Sequence, residues 1–191
     1  MTHLPHSDLS GDLSGTGPAP QRPRQETPHQ ETPHQSSALL HLGLAVLPVL
    51  AASALGQIAT MPNLTPWYAS LVKPSFNPPN WVFGPVWTIL YVLMAYAFYR
   101  ILRAPGGAPR RTTITVFLVQ LALNAAWSWA FFGFRSPLAG MLVILPLLTS
   151  IVIAIRSFSP VDRTAALLLY PYAAWVSFAT LLTISIWWLN G

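Results

Sequence analysis

The chain has 191 residues, of which 53% are hydrophobic and only 8% charged, against about 25% charged in an average soluble domain. That balance makes lipid the solvent for most of the chain, and the absence of cysteine excludes a disulfide framework, a thiol nucleophile and a thiolate metal site. The net charge of +5 is uneven: residues 1–37 hold four of the five acids and two arginines, so the remainder carries +7 with Asp162 as its only acid.

Residues 1–37 are rich in Pro, Gln, Ser, Thr and His and almost without large apolar side chains. They cannot bury enough surface to offset ordering entropy and are expected to form a disordered tail. Within it Gln25-Glu26-Thr27-Pro28-His29 repeats at once as Gln30-Glu31-Thr32-Pro33-His34, a duplication too short for a solenoid unit. His29 and His34 could form a weak metal site, but replication slippage in an unconstrained tail accounts for the repeat more simply.

Residues 38–191 carry five apolar stretches, at about 38–58, 80–102, 112–134, 137–156 and 164–189. Each has about the 20 residues needed to cross a hydrocarbon core as a helix, so the expected fold class is an all-α membrane protein, a bundle of five transmembrane helices. Pro48, Pro85, Pro146 and Pro171 fall inside four of the spans, where neighbouring helices can satisfy the freed carbonyls; kinks rather than helix ends are expected. Ala52-Ser53-Ala54 resembles a signal-peptide cleavage site, but the long polar tail before it and the length of the apolar run favour a span.

Arg100, Arg103, Arg110, Arg111, Arg156 and Arg163 fall on the side of the N-terminus, and only Lys73 and Arg135 on the other. The N-terminus is therefore expected inside and the C-terminus outside, in a cell envelope expected to be bacterial. These arginines flank apolar spans rather than forming a stripe, which suits topology control and anionic headgroups and argues against a nucleic-acid partner. Trp187 and Trp188 fit the aromatic belt of the outer interface.

The one sizeable connection, about residues 60–79, contains Pro62, Pro66, Pro74, Pro78 and Pro79 with Trp67, Tyr68 and Phe76. It reads as a stiffened lid over the bundle or, alternatively, as an aromatic segment resting on headgroups. Lid residues are expected to be Trp67, Tyr68, Lys73, Pro74, Phe76, Pro78, Pro79 and Trp81.

Several fragments recur in a known order. Pro66-Trp67-Tyr68 with Leu71, Lys73-Pro74, Pro78-Pro79, Trp81-Val82-Phe83, Pro85-Val86-Trp87-Thr88 and Leu90-Tyr91 are followed by Gln120-Leu121, Leu123-Asn124, Trp127 and Phe131-Phe132. Pro171-Tyr172, Trp175, Phe178-Ala179 and Leu189-Asn190 complete the series. Over about residues 40–190 the chain resembles the translocator proteins, or tryptophan-rich sensory proteins. It departs from them at Phe76, where a Trp is usual, at Ala95 for Gly, at Thr183 for Asn, and near Trp188, where an Arg is common. Val92, Tyr96 and Arg100 loosely match a sterol-recognition pattern, too weak a signal to assign a sterol site.

At 100° per residue, Gln120, Asn124 and Trp127 share one face of the third span, Trp87, Tyr91 and Met94 one face of the second, and Trp175, Ala179 and Leu182 one face of the fifth. Their upper members Trp87, Asn124 and Ala179 fall roughly 9 to 15 Å deep and can converge beneath the long loop. Uncharged amides in a membrane must face protein or a cavity, so Gln120 and Asn124 are either interhelical glue or ligand anchors. Read with the resemblance, the stripes imply an apolar, Trp-lined pocket for a flat tetrapyrrole, a porphyrin or haem-pathway intermediate, and less directly a sterol-like molecule. The expected ligand-binding residues are Trp87, Tyr91, Gln120, Asn124, Trp127, Trp175, Phe178, Ala179 and Thr183.

No acid, base or histidine lies at that depth, so acid/base catalysis and axial haem ligation have no agents, no catalytic residue is named and no cofactor is required. A receptor or sensor is expected; transport across the membrane, and light- or oxidant-dependent porphyrin breakdown at Trp, are what the family resemblance offers as alternatives. A homodimer is expected, because Ala52 and Gly56 on the first span and small residues on the third and fourth permit close helix contact.

Overall fold

A computed structural model describes residues 33–191, with side chains described from Ser37 onward. The tail duplication and the His29 and His34 side chains lie outside the described residues. Among the latter are six α-helices and no strand: α1 (Pro33–Leu64), α2 (Asn80–Arg103), α3 (Ala108–Ser128), α4 (Pro137–Phe158), α5 (Arg163–Leu167) and α6 (Tyr170–Asn190). Five segments are long and apolar enough to cross a membrane, Ser37–Leu64, Asn80–Arg103, Ala108–Gly133, Pro137–Phe158 and Arg163–Asn190. Large apolar side chains such as Leu47, Val92, Leu142 and Leu181 stay exposed along them, as lipid-facing residues do. The protein is an integral, multi-pass membrane protein and an all-α bundle.

Three of the spans differ from the expectation. The described part of the first helix is Pro33–Leu64, so helix already covers 33–37 and runs past 58, and the connection that follows starts at 65 rather than 60. At the C-terminal end of α1 Asn63 secures the last turn: its Nδ2 donates to the Ala59 carbonyl at 3.0 Å, and its Oδ1 accepts from Arg135 Nε at 2.8 Å. The fifth span is not merely kinked at Pro171 but interrupted, with Leu168 and Leu169 forming a turn and Pro171 in the first turn of α6. The third span starts at Ala108 and closes not in α form but in a π-helical turn, Trp129–Gly133, in which Phe134 N donates to Trp129 O at 2.8 Å.

Helix α1 packs on α2 and α3, α3 on α4, α4 on α6, and α2 also meets α5. The lower core is aromatic and aliphatic, with Phe98 stacked on Phe117 at 4.3 Å and Phe117 against Phe158 at 5.9 Å. The small residues Ala52 and Gly56 of α1 are buried, and a Cβ on Gly56 would lie 3.1 Å from Ser128 Oγ. This face of α1 is thus used against α3 within the chain. The turn from α3 into α4 is tighter still. A Cβ on Gly140 would lie 2.9 Å from the Phe131 Cβ and 2.6 Å from its ring, and a Cβ cannot swing aside. Gly140→Ala is expected to destabilise the bundle by about 1–3 kcal/mol through overpacking, read as a lower thermal midpoint in detergent; an unchanged midpoint would contradict this packing.

At the arginine-rich end Asp162 caps α5, accepting from Ala165 N at 2.9 Å and from Arg100 Nε at 2.9 Å. Burial pushes the Asp162 carboxyl up, but the Ala165 and Thr164 N–H groups and Arg100 outweigh it and hold the carboxyl below its ordinary 3.8. A depressed native value means that the stabilisation is complete above 3.8 and is lost as the pH falls through the native value. Asp162→Ala should therefore cost about 1–2 kcal/mol at neutral pH, and the gap from the native protein should close in strong acid. A gap that stays constant on acidification would show that the charge of Asp162 contributes nothing.

Candidate ligand-binding site

One hydrogen-bonded chain ties three helices near mid-bundle. Tyr91 Oη of α2 donates to Asn124 Oδ1 of α3 at 3.0 Å, and Asn124 Nδ2 donates to Tyr172 Oη of α6 at 3.1 Å. Asn124 and Tyr172 are fully buried, so these bonds replace those that water would supply elsewhere.

Above this chain is a cavity of about 310 Å³, at the lower end of the roughly 300–1,000 Å³ of small-molecule pockets. Trp87, Tyr91 and Phe83 from α2 face Trp127 and Phe132 from the α3 side, and Tyr68 of the loop closes the top. The third wall is α1, with Ser53, Gly56, Gln57 and Thr60. Gln57, Met61, Gly84 and Thr88 on this lining are solvent-exposed in the isolated chain, so the cavity opens sideways between α1 and α2, where lipid would lie.

The walls are held by ring contacts. Trp87 stacks on Tyr91 at 5.5 Å, and Trp127 stacks on Phe131 at 5.7 Å. The π-helical turn presents Phe131 and Phe132 together to the loop, where Trp67 meets them at 5.4 and 6.3 Å and Tyr68 at 6.2 and 5.6 Å. Burial pushes the Tyr68 hydroxyl up to about 12, while its hydrogen bond to Asn77 at 2.8 Å pulls the other way, so the cavity roof stays neutral. Asn190 at the end of α6 fastens the loop by accepting from Val72 N and donating to Val72 O, both at 2.9 Å.

A family model, TspO/MBR, matches residues 44–189. The chain belongs to the TspO/MBR family. It is 42% identical to the tryptophan-rich protein TspO of Chlorobaculum tepidum over 80% of this chain and 97% of that protein. It is 41% identical to the human translocator protein over 63% of this chain and 73% of that one, and 33% identical to the tryptophan-rich sensory protein of Cereibacter sphaeroides over 60% and 70%.

Of the expected site residues, Trp87, Tyr91 and Trp127 line the cavity of this TspO/MBR protein, and Asn124 braces it from below. Trp175, Phe178, Ala179 and Thr183 are not on its lining. Instead Trp175 packs on Phe83 at 5.8 Å and Phe178 on Phe76 at 6.2 Å, so rings already fill the space between α2 and α6 beneath the loop. Ala179 and Thr183 are buried. Among the lid residues only Tyr68 reaches the cavity. Lys73 Nζ is turned back on the loop, donating to the Ala69 and Leu71 carbonyls and lying 4.9 Å from the Tyr68 ring centre. Pro74 and Pro79 shape the loop and the start of α2, Pro78 O accepts from Asn77 Nδ2, and Trp81 is 75% exposed.

The α1 wall and Tyr172 were not foreseen. Ser53, Gln57 and Thr60 share one face of an otherwise apolar helix at spacings of four and three, and Gln57 Nε2 donates to Ser53 Oγ at 3.3 Å. That polar stripe was the available signal. Tyr172 carried none beyond its place in the family series, because a Tyr in a span reads equally well as core.

Gln120, one turn below Asn124, is 1% exposed, and neither its amide nitrogen nor its amide oxygen has a partner among the described residues. The two amides therefore differ in kind. Asn124→Leu should destabilise the protein by about 1–2 kcal/mol, whereas Gln120→Leu, which removes an unpaired buried amide, should be neutral or stabilising. Unfolding of both variants in detergent checks the contrast, and equal losses would refute it.

Proposed function

We propose that this protein is a membrane receptor for flat, hydrophobic ligands of the porphyrin class, bound in the cavity between α1, α2 and α3 and acting in a sensory or regulatory role. The observation that carries this reading is the pairing of walls: the Trp87–Tyr91 stack faces Trp127 and Phe132 across a cavity open to the bilayer. Opposed aromatic walls suit a planar ligand, which gains stacking and burial together. The polar face of α1, with Ser53, Gln57 and Thr60, supplies the few polar contacts that fix orientation. The names of the relatives, translocator protein and tryptophan-rich sensory protein, support a role in handling or reporting a small molecule.

The N-terminus lies inside, on the arginine-rich side of the membrane, so the cavity belongs to the outer half of the bundle. A macrocycle would enter between α1 and α2, seat one edge between Trp87 and Trp127, and leave its remaining edge toward the lateral opening.

Protoporphyrin IX titrated against tryptophan fluorescence tests the reading. Trp87→Ala and Trp127→Ala are each expected to weaken binding about tenfold or more, equivalent to about 1.4 kcal/mol, and Trp175→Ala to weaken it less. Native affinity in both cavity variants would overturn the assignment.

A further inference from the structure

Below the cavity the cleft between α1 and α2 continues toward the arginine-rich end as an open groove of about 650 Å³. Its walls are apolar, with Leu42, Val46 and Val49 of α1 facing Val92, Ala95 and Tyr99 of α2. Along α1 it runs from Ala38 to Ser53, about 22 Å at the ~1.5 Å rise of a helix. Half of a ~30 Å hydrocarbon core is shorter than that, so the groove accommodates an acyl chain of one leaflet.

At its lower end the groove meets a polar hollow of about 290 Å³ lined by His41, Arg103 and Arg110, and Ala38 lies on the wall of both. Among the described residues no carboxylate pairs with Arg103 or Arg110. Asp162 is the only carboxylate side chain among the described residues, and Arg100 holds it at 2.9 Å. Arg110 donates Nε to the Ile101 carbonyl and Nη2 to the Leu102 carbonyl, and Arg103 donates one Nη to Tyr99 Oη at 3.2 Å. Each guanidinium has five N–H groups, so both retain donors for an anion.

We propose that the hollow and the groove together form a binding site for one anionic phospholipid. Its phosphate sits among His41, Arg103 and Arg110, and one acyl chain lies between α1 and α2. A free phosphate would satisfy the arginines but leave the groove without an occupant; a zwitterionic lipid would fill the groove but bring a cation to a site already lined by two arginines. The tip of the acyl chain ends against Ser53, Thr88 and Tyr91, which also line the upper cavity. The lipid site is distinguished by His41, Arg103, Arg110 and the lower part of the groove, none of which lines the upper cavity, and it does not depend on the porphyrin reading.

Native mass spectrometry of the full-length protein in neutral detergent tests this, with phosphatidylglycerol and phosphatidylcholine of identical chains as probes and inorganic phosphate as competitor. One phosphatidylglycerol should be retained at least about tenfold more tightly than phosphatidylcholine. The preference should vanish in the Arg103→Gln/His41→Gln double variant. Ala95→Trp, which fills the groove, should lose both lipids, with Val46→Trp from the opposite wall in reserve if Ala95→Trp does not fold. Arg111→Gln, at an exposed arginine off the lining, should behave as native. Equal retention of the two lipids overturns the proposal, as does a loss in Arg111→Gln matching that in the double variant, which would mark diffuse surface charge. Displacement by inorganic phosphate, with phosphatidylglycerol still bound to Ala95→Trp, would mark a headgroup-only site and overturn it equally.

Discussion

Within a bilayer the Asn124 carboxamide has no water to bond, and the bundle answers by setting Tyr91 of α2 on its oxygen and Tyr172 of α6 on its nitrogen. Each bond is modest on its own, but together they fix the rotation of three helices about their axes. Trp87 stands one turn above Tyr91, and Trp127 three residues beyond Asn124, so the same chain that braces the floor aims the two indoles at opposite walls. Were α2 turned by one residue, about 100°, Trp87 would leave the cavity for the lipid or for α6.

The upper end is held by contacts of a different kind. The π-helical turn inserts one extra residue per turn, which brings Phe131 and Phe132 side by side against Trp67 and Tyr68. Arg135 leaves that turn with φ of 52°, and its guanidinium reaches across to Asn63 at the end of α1. Asn190 holds the loop from α6 through both its backbone partners on Val72. The connection over the cavity is thus tied to the π-helical turn and to α6 through side chains whose partners lie far away in sequence. It is a fitted roof, and its proline content limits how far it can spread when unpinned.

Hydropathy alone exposed the five spans, because twenty consecutive apolar residues have few alternatives in water or lipid. Helical phase brought Trp87, Tyr91 and Trp127 to the cavity for the same reason: positions four and seven apart share a face whatever lies opposite. What lay opposite was not legible. Trp175 has the phase of a lining stripe and Phe178 lies beside it, yet Phe83 and Phe76 pack on these two rings. That outcome depends on side-chain volumes brought together from three segments, which no single periodicity contains. The split at Leu168–Leu169 was hidden in a similar way: Pro171 permits either a kink or a new helix, and the N-cap at Asp162, fixed by Arg100 from α2, makes room for a separate α5.

The position of the opening follows from how α1 is held. Its buried face combines Val49 and Asn63 with Ala45, Ala52, Gly56 and Ala59, small residues that let the helix approach α3 closely but bury little area each. It is also the least buried of the five spans. Helix α2 by contrast is locked to α3 through Tyr91, to α6 through Trp87 and Phe83, and to α5 through Arg100. The α1–α2 seam is itself extensively packed, so its lateral opening is confined to the stretch lined by Gln57, Met61, Gly84 and Thr88. Both the upper cavity and the lower groove lie on that seam, so whatever occupies either of them lies against the same two helices.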